Sequence, residues 1–126
     1  MSELACVWHL YYVLECRLLN PSKPKYLIMV CRDEGPRVFI VNTSIPRWTK
    51  DDVDRLASQV LIRASGHPLL QYDCYVDCAN LWIYADDALQ GCRHHAVSEG
   101  AKFDIQAAVD SSRTVSPALK RLILAS

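Results

Sequence analysis

The chain has no surplus of either charge, no apolar run long enough to cross a bilayer and no C-x2-C pair. Fourteen Lys and Arg balance fourteen Asp and Glu, so the long-range field with which strongly basic proteins gather polyanions is missing. Any contact with nucleic acid must come from a local group of cations. The longest apolar stretches, such as Tyr26 to Cys31 and Leu122 to Ala125, fall far short of the roughly 18 to 20 residues that span a membrane. Internal repeats, low-complexity tracts and long linkers are also lacking. The apolar start, MSELACVWHLYYVLEC, has Glu3 where a secretion signal has basic residues, a second acid at Glu15 and no small-residue cleavage site. It reads as a first strand, and a cytoplasmic location is expected. In that reducing compartment the six cysteines are expected as free thiols, behaving as small buried apolar residues, rather than as three disulfides.

What is present is an ordinary folding composition, 51% apolar and 22% charged over 126 residues. One domain is expected, with a strand-rich barrel over 1–85 and a helical part over 98–126. Trp8 to Cys16 is aromatic and β-branched, NPSKP at 20–24 breaks it, and Tyr26 to Cys31 is the next strand. The turn DEGP at 33–36 predicts that Arg37 to Asn42 folds back as a hairpin partner. Thr49 is placed to cap a short helix through Leu56, with Val53 and Leu56 facing inward. Gln59 to Ala64 and Tyr72 to Cys78 read as strands, SGHP at 65–68 as a loop, and Trp82 to Tyr84 as a sheet extension or a corner. Five or six short strands at this spacing suggest a small antiparallel barrel. The last quarter changes to helical period: Ile105, Ala108 and Val109 form one stripe, and Ser116-Pro117 opens a second helix whose Leu119, Leu122 and Ile123 face inward. The expected class is mainly β with two C-terminal helices (α+β).

The strand VFIVNTS ends in small polar residues. Thr43 and Ser44 either close a turn through their hydroxyls or, beside Lys25, Arg37 or Arg47, hold phosphate oxygens. His67, in SGHPLL, is expected in an exposed turn, where an imidazole that titrates near neutrality serves acid–base chemistry. Asp73 and Asp77 alternate with Tyr75 and so share a strand face, suited to acid–base work or simply to solvent. A zinc site drawn from Cys74, Cys78, Cys92 and His94 or His95 needs loop folding, because C-x3-C along a strand holds the sulfurs too far apart for one chelate. No metal or other cofactor is expected.

Three segments together resemble the PemK/MazF-like toxin family. The strand ending FIVNTS is similar to the family strand that ends in a Thr-Ser pair. QVLIRASGHPLLQYDCYVDC resembles its next hairpin, and the C-terminal turn and helix follow in the same order, so the pattern covers roughly residues 25–112. The resemblance implies an SH3-like small barrel that dimerises and a metal-independent endoribonuclease paired with an antitoxin. Such enzymes cleave single-stranded RNA by 2′-hydroxyl attack. Thr43 and Ser44 would then contact the scissile phosphate, Lys25, Arg37 and Arg47 would add charge, and His67 or Asp73 would accept the proton. The chain departs from the family in having Lys23-Pro24-Lys25 where a Gly-Arg-Pro element is usual, and Ala79-Asn80-Leu81 where an arginine often follows the strand. Those departures favour an alternative, a non-catalytic barrel that holds a protein partner through Trp8, Trp48 and Trp82.

Overall fold

A computed structural model describes residues 4–45 and 52–126. Seven strands form one curled antiparallel sheet: β1 (His9–Cys16), β2 (Lys23–Arg32), β3 (Pro36–Asn42), β4 (Gln59–Ile62), β5 (Cys74–Asp77), β6 (Trp82–Ile83) and β7 (Arg93–Ala96). Along the sheet the order is β4, β5, β3, β2, β1, β7, with β6 also paired to β3. The predicted hairpin is present, since β2 and β3 pair antiparallel from Tyr26 opposite Val41 to Arg32 opposite Pro36. Its turn requires Gly35, whose φ is +116° and whose missing Cβ would lie 3.3 Å from the Tyr84 carbonyl oxygen.

The central strands are apolar on both faces because both are covered. Leu10, Ile28, Val30, Phe39 and Val41 face one cluster, completed by Ala101, Ile105, Val109 and Ile123 from the two long helices. Tyr11, Val13, Leu27, Met29, Val38 and Ile40 face the other, closed by Tyr84 and Leu89. Neighbouring residues along each strand therefore serve opposite layers, which turns an alternating pattern into a continuous apolar run.

Among the described residues four α-helices accompany the sheet: α1 (Val53–Ala57), α2 (Asp86–Leu89), α3 (Glu99–Ser111) and α4 (Pro117–Ala125). Ser98 accepts from the Ala101 N–H and Ser116 from the Leu119 N–H, each satisfying an orphan donor at a helix start. Pro117 occupies the first turn of α4, as Ser116-Pro117 predicts. α3 packs on β4 and on α4, and α4 reaches β2.

Four expectations change. α1 is capped by Asp52, whose side chain accepts from the Arg55 N–H, and Thr49 lies outside the described residues. Val53 and Leu56 are exposed, so α1 has no inward face; two apolar residues at i and i+3 do not anchor a single-turn helix. Leu122 is likewise 42% exposed while Ile123 is buried. Finally, β7 was not predicted, because Arg93-His94-His95-Ala96 carries no apolar alternation; the strand lies at the sheet edge with every residue exposed. Among the described residues no helix is long and apolar enough to cross a membrane.

Candidate nucleic-acid site

Where the ends of β1, β2, β3 and β7 meet, strand register lines up four residues. Arg93 lies opposite Tyr12, Tyr12 opposite Tyr26, and Tyr26 opposite Val41. Directly paired residues project from the same side of a sheet, so this row forms the floor of a cleft of about 520 Å³. The two tyrosine rings lie 4.9 Å apart between centroids, inclined at 36°. Tyr26 donates its hydroxyl to the Leu69 carbonyl at 2.8 Å, which fixes that ring against the loop after β4.

One residue earlier on β2, Lys25 donates to the Asn42 side-chain oxygen at 2.7 Å. Partial burial holds the Lys25 ammonium below its ordinary pKa, and the charge of Lys23 adds to the effect. Lys23, Lys25, Arg93 and Thr43 all line the cleft, and none of the described residues that line it is a carboxylate. Neither Lys23 nor Arg93 has a carboxylate partner among the described residues. A chain of zero net charge thus borders one concavity with three cationic residues: Arg93 in the row of the tyrosines, and Lys23 and Lys25 on the alternate positions of β2, which project from the other side of the strand. Such a site favours anions locally; Lys25 is partly buried, whereas Lys23 and Arg93 are exposed and their charges are screened by solvent and salt.

The predicted site residues separate into those the fold gathers and those it disperses. Thr43 and Lys25 share the cleft, while Ser44 is exposed and lies outside its lining. Arg37 is the second residue of β3, the strand that Thr43 follows, and six residues at about 3.3 Å put it roughly 20 Å away. It is held there by Asp33, through Nε to the backbone oxygen at 3.0 Å and through the carboxylate at 3.3 Å. Arg47 lies outside the described residues.

His67 is not exposed as expected but 2% accessible. Its Nδ1–H donates to the Arg63 carbonyl at 2.8 Å, and its Nε2 accepts from the Ser98 N–H at 3.2 Å. Both nitrogens are spent on joining the loop to the start of α3, while the next two residues, Pro68 and Leu69, line the cleft. Asp73 precedes β5 and accepts from the Ala64 N–H at 2.9 Å, with Arg63 at 3.8 Å. Asp77 is engaged by Gln59, the Ala79 N–H and Asn80.

The zinc constellation is taken apart by topology. Cys74 is on β5 and His94 on β7, with β3, β2 and β1 between them; four strand spacings of about 4.8 Å make roughly 19 Å. Burial raises the Cys74 and Cys78 thiols, which disfavours thiolates there. His94 instead meets His9, Nδ1 to Nδ1 at 2.8 Å. Among the described residues no group of three or more Cys, His, Asp or Glu is placed to hold a metal. Of the tryptophans, Trp8 is in the core and Trp82 is exposed at 37%, so these two share no surface; Trp48 lies outside the described residues.

Sequence reasoning missed Tyr12, Arg93 and the placement of Lys23. The signal for Arg93 lay in CRHH at 92–95, a segment whose histidines drew attention to metal and away from the arginine between them and the cysteine. Compared with known proteins, the chain matches no protein-family model and no curated protein.

Proposed function

We propose that this chain is a PemK/MazF-type small-barrel protein, its SH3-like sheet backed by α3 and α4, that cleaves single-stranded RNA without a metal. The observation that carries the reading is that Lys23, Lys25, Arg93 and Thr43 line one cleft and that none of the described residues lining it is a carboxylate. In the reaction the 2′-oxygen forms a bond to the adjacent phosphorus and the bond from phosphorus to the 5′-oxygen breaks. The products are a 2′,3′-cyclic phosphate and a 5′-hydroxyl. Lys23, Arg93 and the Thr43 hydroxyl hold the phosphoryl oxygens as negative charge grows on them. Arg93 supplies the planar guanidinium that is missing at 79–81. Lys25, held by Asn42 and lowered in pKa, protonates the departing 5′-oxygen more readily than an ordinary lysine. Asp73 does not line the cleft and is held by the Ala64 N–H and Arg63, so the 2′-hydroxyl proton passes to solvent water. His67, with both nitrogens engaged, positions the loop and takes no proton. A homodimer and a neutralising protein partner belong to the same reading.

The test is incubation of the purified protein with mixed single-stranded RNA in EDTA. Cyclic-phosphate ends that disappear in the Thr43→Ala/Ser44→Ala double variant and in Lys25→Met are expected. RNA left intact at large protein excess overturns the proposal.

A further inference from the structure

The phosphate assignment leaves the aromatic floor of the cleft without a role. Tyr12 and Tyr26 are partly accessible there, although the same sheet face is covered by α3 and α4 further along the strands. Tyr26 is locked through its hydroxyl to Leu69, so an incoming group meets a ring already in place. Cationic residues border the pair: Arg93 is next to Tyr12 in the row, and Lys23 and Lys25, on the alternate positions of the strand that carries Tyr26, also line the cleft.

An accessible pair of aromatic rings bordered by cationic residues fits a nucleotide, whose base offers a π face and whose flanking phosphates offer negative charge. We propose that Tyr12 and Tyr26 form a stacking platform for one unpaired nucleobase next to the phosphate held by the cations, with the Gln71 amide reaching the base edge. The inference rests on the phosphate reading above and adds what the site recognises besides charge. A base held in a duplex stacks on its neighbours and cannot lie against the rings, so the platform selects single strands. Gln71 also lines the cleft, and its amide both donates and accepts hydrogen bonds, so it distinguishes one base edge from another.

The experiment uses a short RNA in which the nucleoside at the cleavage position is 2′-deoxy, so that binding is read without cleavage. Dissociation constants are measured for this oligonucleotide and for versions made abasic at each position in turn. Stacking on an aromatic side chain predicts that one abasic position binds on the order of 5- to 150-fold more weakly to the wild-type chain. That difference collapses in Tyr12→Ala and survives in Tyr12→Phe. Equal affinity for all abasic versions and the parent overturns the platform, and the comparison needs no variant to fold. Failure to bind any of the oligonucleotides overturns the platform together with the phosphate assignment. Base-dependent binding without cleavage of the all-ribose RNA overturns the nuclease reading and leaves the platform standing.

Discussion

Removal of Arg93 tests the electrostatic argument most directly. Each cation that contacts a single-stranded backbone contributes about 0.7 to the slope of log affinity against log salt. With Lys23, Lys25 and Arg93 all engaged the wild-type slope is about −2.1, and binding weakens about 18-fold between 50 and 200 mM salt. Arg93→Ala should reduce the slope to about −1.4 and the loss over the same range to about 7-fold. Fluorescence anisotropy of a labelled, 2′-deoxy-blocked oligonucleotide at four or five salt concentrations reads this directly. Arg93 is exposed on an edge strand and carries no ion pair among the described residues, so its truncation should cost little stability, within about 0.5 kcal/mol. An unchanged slope in a folded Arg93→Ala protein would show that the guanidinium does not touch the backbone. A wild-type slope near zero would refute the whole cation set.

Ile105, fully buried between α3 and the sheet, should lose about 2 to 5 kcal/mol on truncation to alanine by urea titration, whereas Phe103→Ser, at a 71% exposed position, should stay within about 0.5 kcal/mol. His67→Asn should lower the melting temperature by breaking the link from Arg63 to Ser98, a loss of about 1 to 3 kcal/mol, while oligonucleotide affinity at low salt changes less than in Lys25→Met. The bidentate Arg32 to Asp86 pair, at 2.7 and 2.9 Å, also holds the Ala5 backbone, and Arg32 pulls the Asp86 carboxyl below its usual pKa. A depressed carboxylate stabilises the fold above its unfolded pKa of about 3.9 and loses that contribution as pH falls through the folded value. Asp86→Asn should therefore cost about 1 kcal/mol at pH 7, allowing for solvent screening, and the difference from wild type should vanish well below pH 4 in acid titrations of stability.

How much of this was legible in the sequence varied with the physical signal. The β2 and β3 hairpin was readable because Asp33 to Pro36 supply turn chemistry between two β-branched runs, and α4 because Ser116-Pro117 marks a start whatever follows. Asp52 took the cap from Thr49 because both residue types cap well and local pattern does not choose between them. Of the residues that line the candidate cleft, Lys25 and Thr43 stood out in the sequence because they lie near strand ends. His67 was misplaced because Gly66 and Pro68 set a turn without saying which way the intervening ring points; it points into the core. Arg93 and Tyr12 were beyond local reasoning, since 81 residues separate them in sequence and only the pairing of β1 with β7 joins them.

That pairing also sets when the site exists. Lys23, Lys25, Tyr12, Tyr26 and Thr43 all come from the first 43 residues of the chain, but the arginine arrives on the last strand of the sheet. A growing chain can form β1 to β3 early, yet it holds only an incomplete cleft until β7 has emerged and docked on β1. A single-residue slip of β7 would turn Arg93 to the opposite face and leave the cleft with two lysines. The guanidinium is thus installed late, and its installation depends on the register of one short polar edge strand.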